Sequence, residues 1–338
     1  MSLSTEDRMD RLSLGICAVR IRLSKFNRNH VPSGPKGGQF ASGSGGGKTY
    51  APKSRSSATA TSDEAAVTGD AKSFLDEAAE ARVRMNSSSA ARDTAEANYQ
   101  KAVAGSKEEA NFKTEAQKHY AASQEALQDV RVHAAKYISG GTVGKATPSI
   151  DSKFHPDVKA EIEKGFSDFN KTFGDVGLKS VKVVADSPNS RPFYNSKTNE
   201  LHMPNSAGSP MGGPSTIAHE LGHAVFFGKG ARAEKMVENW HDKRVGEYEQ
   251  PKALYKIFKG DGYPKDETTY QDKFLDAYMG KVYSGTKWQG DKLLTMEYKG
   301  REIPSMGMEL LYKNPSRLAK LDPDMFNFMV DFLKAARR

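Results

Sequence analysis

A chain of 338 residues, 37% of them hydrophobic, has room for one sizeable domain with appendages or for two ordinary domains. Its single cysteine, Cys17, excludes an intrachain disulfide framework and a cysteine-based zinc site. No apolar run approaches the roughly 20 residues needed to span a bilayer, so no membrane partner is expected. The mean hydropathy of −0.67 is low for a chain folded from end to end. The net charge of +8 is unevenly placed: residues 1–60 hold ten Lys and Arg against three Asp and Glu.

The chain begins MSLSTEDRMDRLSLGICAVRIR, where acids precede a short mixed run, a poor secretory signal. A soluble protein made in a reducing compartment is expected. Residues 1–70 then read as a basic, Gly/Ser-rich flexible arm with few apolar anchors, in which Leu12–Leu23 is the one candidate element. Such an arm suits nucleic acid or an acidic surface, and a solvated tether equally well.

Residues 71–138 are rich in Ala, Glu, Lys and Gln and read as an alanine-rich antiparallel helical hairpin, weakened at Asn86–Ser89. Ser106 and Glu109 form a capping-box pattern that restarts the helix. Alanine seams bury little area, so the hairpin is expected to lie on the surface and to lean on a partner or oligomerise. Residues 139–149, SGGTVGKATPS, are a linker. As a phosphate loop they fail: Ser139 stands where the first glycine belongs, Ala146 replaces the hydroxyl, and a helix rather than a strand leads in.

From residue 150 the pattern is that of a compact α+β domain. Val158, Ile162, Phe166 and Phe169 place an amphipathic helix at Pro156–Phe173. LKSVKVVADS reads as a strand, and a turn at Lys197–Asn199 leads into a short strand through Leu201 and Met203. PSTIAHELGHAVFFG follows as a helix with Ser215 as N-cap and Gly228 as stop. Residues 231–300 read as helices and loops without a clear order. Ser305–Ala336 reads as two helices parted near Asn314-Pro315.

The PSTIAHELGHAVFFG helix sets an ionisable cluster in an apolar run, which is costly unless something compensates it. Residues four apart share a helix face, so His219 and His223 point the same way at a spacing that suits Zn2+. Glu220 lies beside them, placed to take a proton from a water that the metal activates. Gly222 allows another element to pack closely behind the pair.

With this motif the sequence resembles the zincin metallopeptidases, and within them the gluzincin branch. The metzincin pattern is absent, because Phe226 and Lys229 stand where it needs Gly and His. The resemblance implies a zincin-like fold, a strand that pairs with extended substrate, for which Leu201–Pro204 is the candidate, and a glutamate ligand from a later helix. REIPSMGMELL resembles the thermolysin-like third-ligand segment, with Glu302 as ligand and Ser305 three residues on. It departs from that segment at Pro304 and at Met306, where an aspartate is usual. Glu309, on the same face, and His241, in ENWHDKR, are the rivals. Tyr278 and Tyr283 are the candidate donors to the oxyanion of a tetrahedral intermediate.

RNHVPSGPKGGQF further resembles a short motif of tailed-bacteriophage head and morphogenesis proteins. The block from YMGKVY to the last helix resembles the C-terminal part of phage-encoded zincin-like proteins. These resemblances imply a virion or host-cytoplasm setting. Three functions follow as expectations. The first is a phage metalloendopeptidase acting on a protein or peptide substrate. The second is a structural or interaction protein of the particle, binding other particle proteins through 71–138 and nucleic acid through the arm. The third is a protease aimed at a host protein. A free carboxylate beside the metal favours the enzyme, since structural zinc sites usually carry four protein ligands.

Overall fold

The computed structural model describes residues 67–102, 106–188, 190–206, 213–246, 249–258, 263, 267–289 and 292–337. The basic arm to residue 66, with Leu12–Leu23, lies outside the described residues. Helix α1 (Gly69–Glu77) leads into α2 (Ala79–Tyr99), which pairs with the long α3 (Lys107–Ser139). The Ser106 hydroxyl caps α3 by accepting the Glu109 N–H at 3.1 Å. Asn86–Ser89, the stretch expected to be weak, is helical throughout, because four polar residues cost little once α3 lies alongside.

The two halves of this hairpin differ. Between residues 86 and 122, Ala95 alone among the described residues is buried. The outer turns of α3 therefore project from the body by about 24 Å at 1.5 Å per residue. The inner turns, from Ser123 to Ser139, bury Leu127, Val130 and Ile138 in a core that runs continuously to Ala336. Phe74 of α1 stacks on Phe326 near the C-terminus with ring centroids 5.0 Å apart.

Strand β1 (Thr147–Ile150) is followed by helix α4 (Pro156–Phe173), then by β2 (Ser180–Asp186), β3 (Phe193–Asn195) and β4 (Glu200–Pro204). The four strands form the first sheet, in the order β1-β2-β4-β3. β1 and β4 flank β2 in parallel, and β3 closes one edge antiparallel to β4. Leu201–Pro204 is thus an inner strand, paired with β2 and, over Glu200–His202, with β3. On that side of the sheet the outermost strand is β3, which covers the expected substrate strand over Glu200–His202 and leaves Met203–Pro204 beyond its end. The chain turns back at Asn199, whose φ of 54° is the left-handed conformation that asparagine tolerates.

Helix α5 (Pro214–Gly228) carries the histidine pair, and Gly213 rather than Ser215 is its N-cap, with Pro214 in the first turn. Proline there loses no hydrogen bond, since the first-turn N–H groups have no partner within the helix. Every residue from Thr216 to Phe226 is buried, so α5 is the central rod of the fold. It is followed by α6 (Gly230–Val245), β5 (Lys252–Ala253), α7 (Leu254–Ile257) and β6 (Thr268–Thr269), then two short 3-10 turns at Gln271–Lys273 and Ala277–Gly280. Strands β7 (Lys281–Gln289) and β8 (Lys292–Lys299) pair as a hairpin and complete a second, antiparallel sheet, β5-β6-β7-β8. The C-terminal part is three helices rather than two: α8 (Glu302–Lys313), α9 (Pro315–Leu321) and α10 (Pro323–Ala336). The second break falls at Asp322, whose carboxylate caps α10 by accepting the Met325 N–H at 3.0 Å.

Helix α8 lies directly behind α5, and Gly222 is where they touch. A Cβ at Gly222 would stand 2.6 Å from the Ser305 Cα and 3.2 Å from the Pro304 carbonyl oxygen, both backbone atoms. The helices must separate to admit it. Gly222→Ala is therefore expected to destabilise the fold by about 1–3 kcal/mol and to draw Glu302 away from the histidines. Thermal unfolding together with metal content checks this; a variant with unchanged values for both would show that the contact yields freely.

Candidate metal centre

Helix α5 presents His219 and His223 one turn apart on the side that faces the start of α8. Glu302 is the first residue of α8, so its side chain meets the pair where the two helices converge. Pro304 fits in that first turn, where no backbone donor is spent, and the departure from the expected segment costs nothing. The Glu302 Oε2 lies 3.6 Å from His219 Nε2 and 3.4 Å from His223 Nε2. The three ligand atoms fall within 4.8 Å of one another, and all three residues are buried. Tetrahedral ligands held at 2.0–2.1 Å from a metal stand about 3.3–3.4 Å apart. The group could hold a metal ion with little adjustment, and it is the one such His/Asp/Glu cluster among the described residues.

Glu302 has further partners. The Tyr283 hydroxyl, from β7, donates to Glu302 Oε1, and the Ser305 hydroxyl lies 3.1 Å from Glu302 Oε2. Glu302 thereby has one oxygen tied by tyrosine and the other turned to the histidines. Tyr278 is packed beside Tyr283, and burial, reinforced by the charge of Glu302, lifts both phenols well above their ordinary value of 10.0. Both stay protonated, as donors, across the neutral range. Lys281 is buried behind them, 3.1 Å from Glu267, with its ammonium 4.6 Å from the centre of the Tyr283 ring.

Glu220 stands beside the group, close enough for its charge to be felt by His219, His223 and Glu302. One of its oxygens accepts the backbone N–H of Tyr194, on the edge strand β3, at 2.9 Å. Burial raises its pKa above 4.5, while the two histidines and the Tyr194 N–H pull against that rise. A carboxyl so placed is a better proton acceptor than a solvated one.

The rivals for third ligand lie elsewhere. Glu309, two turns beyond Glu302, reaches the far side of the His219 ring, with Oε2 3.0 Å from Nδ1 and Oε1 paired with Lys313. Burial alone would raise its pKa, but His219 and Lys313 outweigh that and keep it below 4.5. His241, expected on a solvated face, is buried on α6 between Tyr270 and Phe274, whose ring centres lie 5.2 and 5.6 Å away. Burial lowers its pKa, and it belongs to the core rather than to the metal group. The contacts of Tyr194 with Glu220 and of Glu309 with His219 carry no local sequence signal; only a carboxylate repeating on the Glu302 face hints at the second. Among the described residues no helix is long and apolar enough to cross a membrane.

Set against known protein families, curated proteins and solved structures, the chain matches none.

Proposed function

We propose that the chain is a zinc-dependent endopeptidase of zincin-like architecture. The observation that carries this reading is the buried His219, His223 and Glu302 group with Glu220 fixed beside it. Three protein ligands leave a position for water and substrate, the arrangement of catalytic rather than structural zinc. The donors fit the ion: two imidazole Nε2 atoms and one carboxylate oxygen at tetrahedral spacing. Zinc bound there would supply Lewis acidity that lowers the pKa of a water toward about 7.

The chain's own groups then have separate tasks. Glu220, oriented by the Tyr194 N–H, accepts the water's proton and returns it to the leaving amine. Tyr283 anchors Glu302 so that one oxygen stays aimed at the histidines. Tyr278, buried beside Tyr283 and within reach of the charge of Glu302, is the second candidate donor to the developing oxyanion. The edge strand β3 runs past Glu220 and is the surface on which an extended peptide would lie. The gluzincin-like segment and the phage-like motifs support a bacteriophage setting for such an enzyme, within the particle or the host cytoplasm.

A second reading, an interaction protein of the particle with a metal-stabilised domain, draws support from the projecting outer half of the hairpin. Elemental analysis combined with a broad peptide library separates the two. The enzyme reading expects close to one zinc per chain, its loss in His223→Ala, and zinc-dependent cleavage of library peptides. Stoichiometric zinc without any cleavage would favour the second reading; no zinc would sink both.

A further inference from the structure

We infer that Glu309 is a positioning residue for the metal centre, with Lys313 as its counter-charge. This rests on the metal-centre reading and assigns a task to a residue outside the ligand set. His219 has two ring nitrogens, and a metal can use only one. Nε2 faces Glu302 and the metal position, while Nδ1 lies 3.0 Å from Glu309 Oε2. A carboxylate cannot donate, so Nδ1 carries a hydrogen, and the nitrogen that gives up its proton to a metal is Nε2, whose lone pair a ligand needs. The same bond fixes the rotation of the ring about its long axis.

The geometry is enforced from two sides. His219 is fully buried and Glu309 is 3% exposed, so the bond is largely shielded from water. The other Glu309 oxygen, Oε1, is engaged by Lys313 one turn further along α8. A buried carboxylate with an imidazole on one oxygen and an ammonium on the other has both lone-pair directions directed by the protein. Lys313 reaches Glu309 from a cavity of about 1070 Å³ between α3, α4 and α8, which also exposes Arg317 and Lys171. Its charge can be removed without repacking the core.

The test is a zinc-affinity series by chelator competition on the full chain. Glu309→Ala is expected to weaken zinc binding about 10- to 100-fold, the usual consequence of deleting a ligand's hydrogen-bond partner. Glu309→Gln keeps the volume and an acceptor oxygen but loses the charge, and should fall between. Lys313→Met should raise Kd only a few-fold. In the cobalt-substituted protein, the wild type should show a slowly exchanging, hyperfine-shifted N–H signal from His219 Nδ1, and Glu309→Ala should lose it to solvent exchange. A purely structural Glu309 would lower thermal stability and leave affinity and the N–H signal alone, and that result overturns the inference. If Glu309→Ala does not fold, Glu309→Gln decides by the same two readouts. If the wild type takes up neither zinc nor cobalt, the metal-centre reading itself has failed; if it binds both and the Glu309 variants match it, only the positioning role has failed.

Discussion

Glu220→Gln is expected to keep its zinc and its melting temperature and to lose peptide hydrolysis by about 10²- to 10⁴-fold in kcat, the usual contribution of a positioned general base. Glutamine preserves the side-chain volume, and its amide oxygen still accepts the Tyr194 N–H that glutamate accepts at 2.9 Å. What it cannot do is take a proton from water. Single-turnover cleavage of a library-derived peptide, with zinc measured on the same sample, reads both halves of the expectation. A variant as fast as wild type would remove Glu220 from the chemistry. Glu220→Ala is the poorer test, because it also leaves the Tyr194 N–H unpaired in a buried place.

The second large effect is on pH. Burial would depress the His219 pKa, but hydrogen bonds to Glu302 and Glu309 and the charge of Glu220 lift it to about 10 in the metal-free protein. His219 is then a cation at neutral pH, and zinc must displace its proton. From this one group, the apparent Kd for zinc should rise about tenfold for each pH unit lost below 10, or roughly 100-fold from pH 8.5 to 6.5.

The stability of the metal-free protein runs in the opposite sense. A folded pKa raised above the unfolded value of about 6.5 stabilises fully below that pH, and the stabilisation is lost as pH climbs through about 10. The gap in Tm between zinc-loaded and metal-free protein should therefore widen from pH 6.5 to 9. Calorimetry of zinc binding in buffers of different ionisation enthalpy counts the released proton directly. A Kd that does not move with pH would mean that His219 is already neutral before the metal arrives.

Much of the centre is legible without any tertiary structure, because its pieces are local. His219 and His223 share a face through the 3.6-residue period alone, and Val158, Ile162, Phe166 and Phe169 mark α4 in the same way. Proline and glycine punctuate α5 at Pro214 and Gly228, and Ser106 starts α3 through a bond to its own first turn. Glu302 can be named from its segment, since a residue pattern survives without knowledge of what it packs against. The β7–β8 hairpin is not evident from local pattern, although its two runs of β-branched and aromatic residues flank Gly290-Asp291, a turn signal that helical propensity nearby obscures.

What the tertiary structure decided are relations between segments far apart in the chain. Glu309 meets His219 across 90 positions, and Tyr194 meets Glu220 across 26. Periodicity has no reach over such intervals, and Glu309 as ligand or as neighbour of a ligand depends on how α8 slides along α5, which the Gly222–Ser305 contact fixes. The order of β3 and β4 is undecidable from sequence for a similar reason: an alternating run shows which face is buried but not which strand lies at the edge. The sequence by itself determined which groups could hold a metal ion and which helix presents the two histidines. Only packing decided which nitrogen each histidine offers, which carboxylate it faces, and which strand edge is left beside Glu220, because those are distances between elements that no local pattern encodes.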